Sequence, residues 1–333
     1  MKTKIFSLVL AVLFISSISF AKIRRVGYSG TPVVNTDYSD LQVAHDSASA
    51  RDTIMIYPGS WNCNVSKKLI FIGPGYYLTG AGANAGLQNI SSTVSSNLYL
   101  YAGSDSSVYE GLDNMTLYPY YDQAVNNVIV RRCNGTIWSN NKVLSNWQIS
   151  QCYLSLRVNW SGGRLNNFSV SNCYIQSASL EVNTTHSGQF NNCVFSSSDF
   201  GNGGFLLKNN IFSSAHGTDI NCVFQNCMGS SDYYPIPTGN GNKNIPYFNI
   251  QDSVFVGLGT QGAFSNDGRF ALKTTSPAKG AGVGGTDMGM FGGTNPYKLS
   301  GIPKIPAFYK LTAPSNTTST NPYTVTFSVR SNN

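Results

Sequence analysis

Val128-x-Val130-x-Arg132-Cys133, Trp147-x-Ile149-x-Gln151-Cys152 and Phe168-x-Val170-x-Asn172-Cys173 are three successive copies of one pattern: two apolar residues one apart, a polar residue, then cysteine. Phe190-x-Asn192-Cys193, Phe205-x-Leu207-x-Asn209-Asn210, Phe224-x-Asn226-Cys227 and Phe248-x-Ile250-x-Asp252-Ser253 continue it. Their anchors are 19, 21, 20, 17, 17 and 26 residues apart. A weaker earlier copy, Leu112-Asp113-Asn114-Met115-x-Leu117, fits the same register. A period near 20 built of short alternating strands is too short for a helix pair and too irregular for a coiled coil, so residues 115–253 read as a β-solenoid.

Parity shows how each coil bends. Apolar residues fall five and three positions before the anchor but two after it (Leu154, Ile175, Phe195, Phe212, Phe255), so the in/out alternation slips by one residue. Such a slip needs a tight turn. The residue before the anchor is Asn in four of the seven copies, the side chain best suited to a left-handed turn residue. The anchors then point inward, stacking Cys133, Cys152, Cys173, Cys193 and Cys227 in one column with Asn210 and Ser253. Stacked residues lie about 4.8 Å apart with parallel Cβ vectors, whereas a disulfide needs its Cβ atoms about 3.8 Å apart. The cysteines of the column therefore read as buried thiols acting as small hydrophobes. No Cys-x-x-Cys or Cys/His cluster has metal-site spacing, and no cofactor motif is present.

Lys2 and Lys4, an apolar run over residues 5–20 and Ser19-Phe20-Ala21 have the layout of a secretory signal peptide over residues 1–21, with a mature start near Lys22. The expectation is an exported protein, secreted or held at a bacterial cell surface, with no further apolar run long enough to span a bilayer. Charged residues are 11% of the chain and the formal net charge is +7; removing Lys2 and Lys4 leaves 7 − 2 = +5. This balance favours acidic partners such as uronic or sulfated polysaccharides, and the absence of a basic run argues against nucleic acid.

Ser39-Asp40-Leu41-Gln42 reads as a capping box opening a helix over residues 41–50, followed by Thr53-Ile54-Met55-Ile56-Tyr57 and the turn Pro58-Gly59. Asp52-Thr53-Ile54 with Pro58-Gly59, and Lys67-Lys68-Leu69-Ile70-Phe71-Ile72-Gly73-Pro74-Gly75 after it, resemble the N-terminal cap and first strands of secreted right-handed parallel β-helices of the pectin-lyase-like superfamily. Ser276-Pro277-Ala278-Lys279-Gly280-Ala281-Gly282 with Thr286-Asp287-Met288-Gly289 resembles the closing coil of such proteins. The resemblance covers residues 38–295. The Gly301-Ile302-Pro303-x-Ile305-Pro306 tail is similar to those of Bacteroidetes β-helix surface proteins.

The expected fold is thus all-β: a right-handed parallel β-helix over residues 22–296 with a short capping helix. An extended arm over residues 297–333 carries Pro303, Pro306, Pro314 and Pro322 and one strand in which Tyr323, Val325, Phe327 and Val329 alternate with polar residues.

Fold alone does not give function. Of the segments that polygalacturonases of the superfamily share, only Asn35-Thr36-Asp37 is present, ahead of the first coil; the Arg-x-Pro-x-x-Arg run of its pectate lyases is missing, and Arg131-Arg132 has no acids in adjacent copies. No catalytic residue is assigned by motif. Asp199 and His216, six residues after their anchors, with Glu181, Asp219 and Lys208, form one weak acid/base grouping, which would suit a polysaccharide lyase or glycoside hydrolase acting on an acidic glycan. Outward positions offer more: Tyr118, Tyr120, Trp138, Tyr153, Arg157 and Tyr174 fall on consecutive copies and form a stacking platform for sugar faces, with a guanidinium for hydroxyls, sulfates or carboxylates. Trp147, five before its anchor, reads as core. The expectation is an exported, non-catalytic protein that binds polysaccharide or serves a structural role.

Overall fold

The computed structural model of the 333-residue chain describes residues 21–330, apart from 81, 85–86, 88–93, 121–122, 140, 159–161, 182, 215–216, 218, 220, 233–234, 259–263 and 314–323. The leader, residues 1–20 of the expected signal peptide, lies outside the described residues, as does His216. Two 11-stranded sheets face each other, and every coil gives a strand to each in turn. All strand pairs within both sheets are parallel, which makes the chain a parallel β-solenoid. The first sheet runs from near Ile23–Val26 to Val223–Gln225 and the second from Gly59–Val65 to Lys243–Ile245.

The register follows the sequence pattern. Ile54, Phe71, Tyr109, Val130, Ile149, Val170, Phe190, Leu207 and Phe224 are consecutive partners down the first sheet, and all are buried. Trp147 is fully buried against Phe168, its indole N–H donating to the Val125 carbonyl at 2.8 Å. The turns slip as the parity requires. Asn114, Arg132, Gln151, Asn172, Asn192, Asn209 and Asn226 all have φ between 45° and 57°. All seven cysteines of the chain are free thiols, and those of the column are buried. The backbone N–H groups of Cys133 and Cys152 donate to the sulfur one coil on, at 3.4 and 3.3 Å. Burial raises the Cys133, Cys152 and Cys173 thiols well above the ordinary range and Cys227 to about 12, so the reactive thiolate is suppressed.

Three local expectations are revised. The helix is Leu41–Ser47, and its N-cap is Asp40, which accepts from the Val43 N–H at 3.0 Å. Gln42 is drawn away from a capping role because its Oε1 accepts from the Asn64 N–H of the second sheet. The helix still covers the first coil, with Leu41, Ala44 and Ala48 in the core and Lys67 Nζ donating to the His45, Asp46 and Ala48 carbonyls at its end.

The copy at residues 248–253 is not a coil. Pro246 opens the short helix Tyr247–Asn249, which runs into a π-helical turn, Ile250–Val254, with Phe248 73% exposed. The true anchor after Cys227 is Asn242. It accepts from the Cys227 N–H at 2.9 Å and donates to the Phe224 carbonyl, just as Asn210 accepts from Cys193 and donates to Phe190.

The expected closing coil over residues 276–289 is instead part of a strap that runs back along the outside of the second sheet. The turn side chains hold it rung by rung. Asn226 donates to the Ala281 carbonyl, Asn209 accepts from the Val283 N–H, and Asn192 donates to the Asp287 carbonyl. Further along, Asn172 donates to the Gly292 carbonyl at 2.7 Å, Gln151 to Pro296 at 2.6 Å and Arg132 to Ile302 at 2.8 Å. The Lys304 N–H then reaches Glu110. Beneath the strap, Tyr153, Tyr174, Val194, Ile211 and Met228 pack against Phe255, Phe270, Met288, Met290 and Tyr297 in a second apolar core. Buried Asp267 ties the strap's end, accepting from the Tyr297 hydroxyl, the Ser300 N–H and Asn84, while Tyr76 bonds Tyr297.

Beyond the strap, the expected strand is present as Thr326–Arg330 and pairs antiparallel with Ala307–Thr312. Phe327 is 60% exposed. Among the described residues no helix is long and apolar enough to cross a membrane.

Candidate functional site

The outward face of the second sheet is where the sequence placed its platform, and the structure divides that platform in two. In the uncovered part, Asn64, Tyr99, Tyr118, Trp138 and Arg157 occupy one outward column, carried by strand pairings that place each a single rung from the next. Tyr99 and Tyr118 meet edge to face at 6.0 Å, and Tyr118 and Trp138 at 5.6 Å. Beside them Tyr101 stacks on Tyr120 at 4.8 Å. The rings border a groove of about 480 Å³ lined by Asn97, Leu98, Tyr99, Thr116, Tyr118, Tyr120 and Trp138.

Local sequence explains this display. Along a strand successive side chains alternate between the two faces, so Leu117 and Ile137 enter the core while their neighbours Tyr118 and Trp138 stand outside. Tyr99 and Tyr101 were missed because strand Val94–Leu100 precedes the region where the cysteine pattern begins. The signal was present: Asn97-Leu98-Tyr99-Leu100-Tyr101 mirrors Thr116-Leu117-Tyr118-Pro119-Tyr120.

Tyr153 and Tyr174 do not join the groove. They point away from the solenoid interior as expected, yet they are only 8% and 4% exposed. Phe270 of the returning chain lies 4.2 Å from the Tyr174 ring, Tyr77 packs edge-on to Tyr153, and the two tyrosines are 4.4 Å apart. Their face is used up in the second core. Arg157 is exposed, one rung beyond Trp138 and outside the groove lining.

Polar groups at the groove are neutral. Asn97 donates to Asn62 at 3.0 Å along a polar column that continues through Thr116 and Thr136. The Trp138 indole N–H is shielded and meets no acceptor among the described residues. The Tyr101 phenol is raised above its ordinary pKa, by desolvation first and then by Tyr120. Near the strap's edge, burial pushes the Asp113 carboxyl up to about 6 against the opposing hydrogen bond from Asn134 at 2.7 Å.

Of the acid/base grouping, Gly201 bridges Asp219 beside Asp199, His216 lies outside the described residues, and Lys208 is placed elsewhere. Lys208 lies on the first sheet as the partner of Asn191, whereas Asp199 lies at the edge of the second and accepts from the Gly201 N–H. Glu181 is engaged by Asn183. Among the described residues no three His, Cys, Asp or Glu side chains are grouped to hold a metal ion.

No family model matches this chain, and no curated protein and no solved structure matches it. What the molecule does has to be argued from the groove itself.

Proposed function

We propose that this is an exported, non-catalytic β-helix protein that holds a polysaccharide on the aromatic ladder of its second sheet. The observation that carries the reading is the line of Tyr99, Tyr118 and Trp138 on three successive rungs, half-buried along a groove beside a polar column. Ring faces stack on the C–H faces of pyranose rings, and amide and hydroxyl groups nearby satisfy sugar hydroxyls. Export is supported by the leader-like residues 1–21. The capping helix and Asp52-Thr53-Ile54 strand support kinship with the secreted pectin-lyase-like β-helices, and the tail with surface proteins of Bacteroidetes.

Binding of a polysaccharide panel by the mature chain tests this reading. Replacing Tyr118 and Trp138 together with Ala should weaken binding about tenfold or more, at about 1 kcal/mol per stacking contact, with the melting temperature held. A parent protein that binds none of the panel overturns the glycan reading. Release of new reducing ends or of unsaturated products would overturn the non-catalytic one.

A further inference from the structure

Charge along the ladder is uneven. None of the seven residues lining the groove carries a charge near neutral pH: its walls are tyrosines, one tryptophan, one leucine, one asparagine and one threonine. The next rung beyond Trp138 is Arg157, then Ser179, then Asp199. The column therefore runs neutral, neutral, neutral, cationic, neutral, anionic.

On this pattern, and resting on the glycan reading above, we infer that the ligand is a sparsely charged polysaccharide: neutral sugars on Tyr99, Tyr118 and Trp138, with an isolated acidic substituent at Arg157. A polymer with a carboxylate on every residue fits poorly. Its charges would lie against aromatic faces, which carry the negative side of the ring quadrupole, and would lose water without a cationic partner. Two rungs past Arg157 the same polymer would meet the Asp199 carboxylate. An uncharged chain would use the rings but leave the guanidinium idle, while a single carboxylate or sulfate there gains a charge-assisted bond.

Three length-matched oligosaccharides test the inference by calorimetry: an unsubstituted xylo-oligosaccharide, the same backbone carrying one glucuronic acid, and an oligogalacturonate. The singly charged ligand should bind tightest, about tenfold better than the neutral one, with the oligogalacturonate weakest at physiological ionic strength. Arg157→Gln should bring the singly charged ligand down to the neutral one's affinity and leave the neutral one unchanged; Arg157 is exposed, so an unchanged melting temperature shows the fold is kept. Tightest binding by the oligogalacturonate, or equal binding of the first two ligands with no effect of Arg157→Gln, overturns the inference while the glycan reading stands. If none of the three binds, and Tyr118 and Trp138 are irrelevant to every glycan tried, the glycan reading fails and this inference fails with it.

Discussion

The two halves of the second sheet's outer face are built alike and end up unlike. Around Tyr118 and Trp138 the outward rings border an open groove; around Tyr153 and Tyr174, one or two coils on, they lie under the returning chain as part of a second core. Both sets obey the same in/out alternation. What separates them is a segment more than 90 residues downstream in sequence, with Phe270 seated on Tyr174. Pointing outward from a solenoid is therefore not the same as being free to bind.

The largest effect should come from exchanging the two environments. Tyr174→Ala should cost about 3–5 kcal/mol in denaturant unfolding, the range for emptying a packed aromatic site, comparable to Phe190→Ala in the solenoid core. Trp138→Ala, on the open half, should cost about 1 kcal/mol or less. If the two halves respond equally, the strap does not divide them.

The turns offer a second comparison of intermediate size. Asn172 and Asn167 both adopt φ 52°, but Asn172 donates to the Met290 and Gly292 carbonyls of the strap, whereas Asn167 is exposed and donates to Asn146. Both alanine variants carry the left-handed backbone penalty, so the difference between them isolates the strap. Asn172→Ala should be less stable than Asn167→Ala by about 1–3 kcal/mol, the cost of leaving buried acceptors unmatched. Proteolysis should also cut first within residues 281–304 of the Asn172 variant.

The smallest effect concerns pH, at the start of the first-sheet strand His186–Asn191. His186 is buried there against Phe205; its Nδ1 accepts from the Leu165 N–H at 3.2 Å and its Nε2 donates to the Glu181 carbonyl at 3.0 Å. Burial lowers its pKa, because the charged ring is desolvated and Nδ1 faces a donor. The unfolded chain, with the ordinary value of about 6.5, takes up the proton first. This contribution to stability is thus complete above about pH 6.5 and is lost as pH falls through the depressed folded value. His186→Gln should lower the melting temperature at pH 7 and flatten its fall between pH 7 and pH 5 relative to the parent; an unaltered slope would remove His186 from the account.

Reading the sequence went furthest where the signal repeats. Val130, Ile149, Val170, Phe190, Leu207 and Phe224 form the expected column because each coil offers its neighbour the same alternation, and stacking makes a local pattern into a global one. Ile250 left that column for the second core, and Ser253 never held an anchor, since Pro246 ends the strand pattern and Asn242 had already closed the coil. The Asn turns were legible as turns. That the same side chains also clasp a strap was not, because a left-handed asparagine looks the same in sequence whether its amide faces water or another segment.

By itself, then, the chain's order of residues determined the solenoid, its inward columns, its buried thiols and the outward display of its aromatics, all consequences of a period of two along each strand and near twenty between coils. Only the tertiary structure decided which outward rings remain open, because exposure depends on where a distant, non-repeating segment comes to rest. Residues 281–304 follow the outward apolar column of Tyr153, Tyr174, Val194, Ile211 and Met228 and the turn side chains that bond their carbonyls. They stop at Glu110, where Lys304 is held, and leave the tyrosines and tryptophan of the groove partly exposed.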